Sequence, residues 1–291
     1  NSFKALGLKT YGIDPATNLH KISSVEHEVI CDYFKQEHVG HYMNRVDIIT
    51  AQNVFAHNSY PLEFLQQCRE IMHDDSTLFI QTSQADMVVN GEFDTIYHEH
   101  ISFYCIESMK ALAKRAGWHL VDAIKTPIHG TSYIFVLAKR PANEQRIRNI
   151  LSMERAIGLQ NPTTYINWAR GVCELIVDLK EQINIYRDNG YTIVGYGAAA
   201  KGMTLLNASD IPLDFVIDDN PLKQGLYCPG TAIPVVSIDE LDKITDPKER
   251  VVFIPLAWNF YAEIKKKILA KRNVEGDLFL RYFPTIKTEC N

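Results

Sequence analysis

The sequence is short of close cysteine pairs, of excess positive charge and of long apolar runs. Its six cysteines, Cys31, Cys68, Cys105, Cys173, Cys228 and Cys290, lie far apart. They lack the close spacing that structural zinc and redox dithiols use, so free thiols in a reducing compartment are expected. Lys and Arg number 30 against 35 Asp and Glu, a formal net charge of −5, which excludes a broadly basic nucleic-acid-binding surface. No stretch approaches the roughly 20 uninterrupted apolar residues of a membrane helix, and the start lacks the basic, apolar, small-residue order of a signal peptide. A cytoplasmic protein with no nucleic-acid or membrane partner is therefore expected. What is present, 291 residues with 46% hydrophobic and 22% charged, suits one or two globular domains of about 100–200 residues each.

Short β-rich runs alternate with helical patterns. Strands are expected at Lys9 to Ile13, Glu28 to Cys31, Val46 to Thr50 and Thr77 to Gln81, with a helix from Pro61 to Met72 between the last two. Such alternation implies parallel βαβ units. A helix from Glu107 to Ala116, stopped by Gly117, then precedes strands at Trp118 to Ile124 and Ser132 to Lys139. Their connection is too short for a helical crossover, so they should be antiparallel neighbours. Pro141 to Asn189 reads as two helices, the second capped by Thr163 or Thr164 and stopped at Asn189-Gly190. A second α/β unit follows, with strands at Tyr191 to Gly195, Asp214 to Ile217, Val251 to Ile254 and Asp277 to Leu280. The chain enters on the end of a helix, a Gly turn and a strand; an α/β domain seldom starts inside a helix, so further sequence upstream is expected.

Two segments carry the densest chemistry. In Tyr97-His98-Glu99-His100, two imidazoles, a carboxylate and a phenol make an acid/base cluster, and imidazole is the side chain most easily poised near neutral pH. His98 and His100 would share a face if extended, which also permits a metal-site reading. No third ligand stands at matching spacing, so proton transfer is preferred and no metal is assigned. In Gly195-Tyr196-Gly197-Ala198-Ala199-Ala200-Lys201-Gly202, a glycine loop follows a strand and opens a helix, where phosphate can be cradled. A tight turn that packs helix on sheet is the plainer reading of the same residues. Asp14 ends an early strand, where an acid can meet ribose hydroxyls or simply cap a turn before Pro15. Asp32 ends the next strand, His129 sits at the hairpin beside Gly130, and Lys223 lies in a polar loop.

Taken in order along nearly the whole chain, these residues resemble the sugar C-methyltransferases that act on nucleotide-linked 4-keto deoxysugars, particularly the C3-methylating type. The resemblance rests on Asn53 to His57, Glu92 to His100, Pro127 to Ser132, Gly195 to Gly202 with Thr204 to Asn207, Asp219 to Gly225, Pro229 to Pro234 and Trp258-Asn259. It implies an α/β chain: residues 1–140 a class I S-adenosylmethionine (SAM) methyltransferase domain, Rossmann-like and lacking its first strand and glycine loop, 141–190 a helical linker, and 191–291 a smaller Rossmann-like domain that helps hold the nucleotide sugar. It further implies His100 as the base, with Tyr97 and Glu99 orienting it or donating to an oxyanion. Asp14, Asp32 and Asn53 would hold SAM, while His98, His129, Gly195, Gly197, Lys201 and Lys223 would line the sugar nucleotide. Zinc is implied only for a cysteine-rich N-terminal segment absent from these residues. A monomer or small homo-oligomer is expected. The rival readings are an NAD-dependent sugar oxidoreductase built on the Gly195 loop and a non-catalytic nucleotide-sugar binding module.

Overall fold

Local sequence explains most of the elements in the computed structural model, which describes residues 2–83, 87–127, 131–246 and 248–291. His129 lies outside the described residues. The strands are β1 (Tyr11–Ile13), β2 (Glu28–Ile30), β3 (Val46–Gln52), β4 (Met72–Ser83), β5 (His119–Thr126) and β6 (Ser132–Ala138), then β7 (Thr192–Tyr196), β8 (Phe215–Ile217), β9 (Val235–Val236), β10 (Val251–Pro255), β11 (Leu278–Arg281) and β12 (Lys287–Cys290). The helices are α1 (Ser2–Ala5), α2 (Thr17–Ser23), α3 (Gln36–Val39), α4 (Pro61–Ile71), α5 (Met87–Asn90) and α6 (Ile106–Arg115), followed by α7 (Glu144–Ala156), α8 (Pro162–Asp188), α9 (Ala200–Ser209) and α10 (Tyr261–Lys271). Helix α4 starts with Pro61 in its first turn and buries Phe64, Leu65, Cys68 and Ile71 along one face, the spacing of an amphipathic helix. The cap of α8 is Asn161, whose side chain accepts from the Thr163 amide, with Pro162 next. This corrects the expectation of Thr163 or Thr164: an Asn before Pro offers the acceptor one position earlier.

Two compact units are each assembled from non-consecutive stretches. One comprises Asn1–Thr82, Ile106–Lys125 and Tyr133–Ser152; the other comprises Ser83–Cys105, Thr126–Ser132 and Met153–Asn291. The segment carrying Tyr97 and His100 thus packs with the C-terminal sheet, although it follows a strand of the first unit in the chain.

The first unit holds a mixed α/β arrangement in two sheets. Strands β1 and β2 pair in parallel by themselves, while a four-stranded sheet has the order β3-β4-β6-β5. A doubly wound domain would carry these strands in one continuous sheet; among the described residues, β1 and β3 are not bonded to each other. Strands β5 and β6 are neighbours, as their short connection requires. Leu65, Cys68, Met72, Leu78, Ile80, Met109, Trp118 and Phe135 are almost wholly buried.

In the second unit the order is β12-β11-β10-β7-β8-β9. All neighbours are parallel except β12, which runs antiparallel to β11. Alternate residues of each strand feed opposite cores, as the two-residue strand period demands. Ile193, Val216, Val252, Ile254 and Leu280 pack with Leu179 and Ile183 of α8 and Leu205 and Leu206 of α9. Val194, Ile217, Val251, Phe253 and Phe279 pack with Ile264 and Ile268 of α10. Phe93 joins the first of these clusters, which anchors the acid/base segment to this sheet.

Candidate active site

The Glu92–His100 segment is built from two successive turns, closed by Ile96 N–H to Phe93 O (3.0 Å) and His100 N–H to Tyr97 O (3.0 Å). It is therefore not extended, which removes the condition on which His98 and His100 would share a face. His98 is exposed and His100 half-buried. The His100 Nδ1 lies 2.7 Å from the Thr95 carbonyl oxygen, and its Nε2 lies 2.7 Å from the Tyr97 hydroxyl. A carbonyl only accepts, so the proton of the neutral ring sits on Nδ1 and Nε2 holds the lone pair, to which Tyr97 donates. The Tyr97 ring leans on the imidazole at 4.0 Å between centroids. Burial, and after it the charge of Glu99, raises the Tyr97 pKa above its ordinary value, so the phenol keeps its proton and remains a donor.

The same segment holds two buried carboxyls, Glu92 and Asp94, that sequence reasoning did not single out. Asp94 is only 1% exposed. Its Oδ2 accepts from Trp258 Nε1 at 2.6 Å and from the Tyr282 hydroxyl at 3.0 Å, while Oδ1 faces Lys201 Nζ at 3.7 Å. Burial pushes the Asp94 carboxyl up, against the pull of Lys201, Trp258 and Tyr282. Tyr282 has one hydroxyl proton but two acceptors in reach, Asp94 Oδ2 and Leu256 O at 2.9 Å; a proton on Asp94 satisfies both. Glu92 is likewise buried, takes a hydrogen bond from Asn90 at 3.2 Å, and leaves Oε2 without a partner. Burial raises its pKa, with Lys201 opposing. The Trp168 indole donates to the Glu92 carbonyl at 3.2 Å. Asp94 already stands inside the Glu92 to His100 motif, yet nothing in its spacing announces burial; its partner Trp258 is 164 residues away.

Lys201 stacks over the Trp258 ring at 4.4 Å and points its ammonium toward Asp94. In the glycine loop, a Cβ on Gly195 would come within 2.9 Å of Leu213 and 3.1 Å of Leu256, and one on Gly202 within 2.9 Å of the Leu256 Cβ. Gly197 turns the chain at φ +99°. Gly195 and Gly202 therefore serve close packing of α9 on the sheet, the plainer of the two readings. Lys223 donates to the Ala198 carbonyl at 2.7 Å and pairs with Asp218 at 3.2 Å. Asp218 also accepts from the amides of Ala198 and Asn220. The polar loop thus latches onto the glycine loop.

In the first unit, Asp14, Asp32 and Asn53 follow the carboxyl ends of β1, β2 and β3, the position at which nucleosides bind in doubly wound sheets, with β1 and β2 in one sheet and β3 in the other. Asp14 is exposed and its Oδ1 accepts from the Ala16 amide at 2.8 Å, so it does cap the turn at Pro15 while Oδ2 stays open. Asp32 is more occupied: it accepts from Tyr33 N, Lys35 Nζ and His38 Nε2 at 2.7, 3.0 and 2.8 Å, and the Lys35 and His38 bonds hold its pKa well below the usual range. Asn53 takes a left-handed φ of 53°, with its amide bonded to Gln81 O. Asp32, Glu37 and His38 lie close enough to share an ion, but Lys35 sits 3.0 Å from Asp32 and 3.7 Å from Glu37 and supplies the positive charge there. Among the described residues, no helix is long and apolar enough to cross a membrane.

Comparison with known proteins places this chain. Residues 127–284, more than half of it, match the family model described as C-methyltransferase C-terminal domain, and the chain belongs to that family. Residues 1–123 match a methyltransferase domain model. The chain is 28% identical over 281 residues to the C-methyltransferase NovU of Streptomyces niveus, covering 90% of this chain and 64% of that protein; it thus spans just under two thirds of that relative's length. Among solved structures, the 1,6-didemethyltoxoflavin-N1-methyltransferase of Burkholderia thailandensis, with bound 1,6-didemethyltoxoflavin and S-adenosylhomocysteine, is 12% identical with a TM-score of 0.35, over 47% of this chain and 64% of that one. A putative type 11 methyltransferase from Sulfolobus solfataricus is 16% identical with a TM-score of 0.34, over 48% and 79%.

Proposed function

We propose that the protein is a SAM-dependent C-methyltransferase that methylates C3 of a nucleotide-linked 4-keto deoxysugar. The observation that carries this reading is the His100 tautomer. Thr95 holds the proton on Nδ1, which leaves Nε2 as the basic atom. A 4-keto group acidifies the neighbouring C3 proton, and a base of near-neutral pKa removes it when the enolate oxygen is stabilised. Tyr97, kept protonated by burial and Glu99, transfers its hydrogen bond from Nε2 to that oxygen, and Nε2 receives the C3 proton. SAM, when bound, supplies the methyl group. The open oxygen of Asp14 fits a ribose hydroxyl; Asp32 accepts three bonds and keeps one acceptor position on Oδ1 for an adenine amino group. Asn53 stands at the carboxyl end of β3. Lys201, Lys223 and Gly197 border the sugar nucleotide in this reading, with Lys223 acting through the loop it ties down and Gly195 serving the packing beneath that loop.

The dinucleotide oxidoreductase reading is the weaker one, because Asp218, the acid that ends β8, already spends both oxygens on Ala198, Asn220 and Lys223. The test is incubation of the chain with a nucleotide-linked 4-keto-6-deoxy sugar and SAM, and in parallel with the same sugar and NADH, read by mass spectrometry. Addition of one methyl to the sugar, at C3 by NMR, supports the proposal. Reduction of the ketone with NADH, with no methylation, would replace it by the oxidoreductase.

A further inference from the structure

At the opposite edge of the first unit, where the parallel strands begin, lies a cavity of about 600 Å³ bordered by Asn44, Gln66, Arg69, Glu70 and Lys139. Asn44 stands just before β3, Lys139 just after β6, and Arg69 in the last turn of α4. The Arg69 guanidinium is held in place: it lies over the Trp118 ring at 6.0 Å, and a Cβ on Gly117 would come within 2.8 Å of its Nε. Its Nη1 is buried without a hydrogen-bond partner. One donor of this planar fork is thus unsatisfied, and burying a charged donor without an acceptor costs more than the net worth of a typical hydrogen bond. Lys139 brings a second cation from another element, its Nζ donating to the Met72 carbonyl. Burial and the neighbouring Arg69 lower the Lys139 pKa, while Asp74 works the other way. Arg140 pairs with Asp74 and Asp75 at the surface, and Glu70 is the carboxylate among the described residues that borders the cavity.

We propose that this cavity is an oxyanion site, taking a phosphate or carboxylate group on Arg69 and Lys139, with Gln66 and Asn44 as neutral partners. It stands apart from the Asp14, Asp32 and Asn53 edge, and it does not depend on the methyl-transfer reading. An oxyanion satisfies the fork through two parallel N–H bonds and relieves the repulsion between the two cations.

The experiment is isothermal titration of the chain with sodium phosphate, and separately with sodium acetate, at matched ionic strength in chloride. The two arms distinguish a phosphate site from a carboxylate site. Saturable binding of either anion, weakened about tenfold or more by Arg69→Gln and measurably by Lys139→Gln, is expected, because each charge-assisted bond contributes on that scale. Arg69→Lys, which keeps the charge but loses the fork, should recover only part of the affinity. If Arg69→Gln loses its fold by circular dichroism, Lys139→Gln, at a half-buried strand end, decides. No saturable binding of either anion, or binding that neither folded variant alters, overturns the proposal.

Discussion

A neutral imidazole carries one N–H and one lone pair, and at His100 the Thr95 carbonyl decides which nitrogen has which. The sequence displays the imidazole and the phenol at the right spacing, but the tautomer comes from a backbone oxygen that no motif reveals. The same holds for Glu92. In the folded chain it is buried with one oxygen unpartnered, so its carboxyl stays protonated above its usual 4.5. A raised acid pKa means the native state binds the proton more tightly than the unfolded state, so this group's favourable contribution is complete below 4.5 and is lost as pH rises through the elevated folded value. Glu92→Gln should therefore flatten the decline of stability over that rising window, measured by thermal melts from pH 4 upward. An unchanged pH profile would contradict the burial assigned to Glu92.

The turn-rich segment from Glu92 to His100 is an element without a regular hydrogen-bond ladder, and side chains hold its shape. Phe93 enters the core of the C-terminal sheet, and Asp94 is tied to Trp258 and Tyr282. The Asp94 carboxyl fixes the start of the turn whose next residue, Thr95, bonds His100. Asp94→Ala should cost about 1–3 kcal/mol of stability by leaving the Trp258 donor unpaired, while the Tyr282 hydroxyl keeps the Leu256 carbonyl. It should also slow C3 proton removal although His100 is intact. Asp94→Asn, which can still accept from Trp258, should recover most of both losses; failure of that rescue with the fold preserved would assign Asp94 a charge role instead. In the glycine loop, Gly202→Ala should destabilise by about 1–3 kcal/mol because the added methyl meets the Leu256 Cβ at 2.9 Å. A shift within a few tenths would remove the packing role. Much of the element order was legible: β7, β8, β10 and β11 stand within a residue or two of their expected places, because short runs rich in β-branched and apolar residues mark them. Strands β9 and β12 were not anticipated. The first is two residues long, and the second, Lys-Thr-Glu-Cys, carries little apolar signal and takes its place by pairing with β11.

For the whole molecule, chain order and compact units diverge. Expected boundaries near 140 and 190 follow the chain, whereas the units exchange the segments Ser83–Cys105 and Thr126–Ser132. A sequence read left to right assigns Tyr97 and His100 to the methyltransferase domain, because the long-range contact of Phe93 with the C-terminal core has no local signature. Most of the family match over residues 127–284 and the Tyr97 and His100 pair fall in this second unit. The central claim is that His100 is the base for a sugar C3 proton. It is tested most directly by following deuterium incorporation at C3 of a nucleotide-linked 4-keto-6-deoxy sugar by NMR in deuterium oxide, without SAM, for the chain and for His100→Gln. The account predicts exchange in the parent chain and a loss of about 100-fold or more in His100→Gln, the usual worth of a positioned general base. Exchange that persists undiminished in a folded His100→Gln, or none in a parent chain that binds the sugar nucleotide, would contradict it.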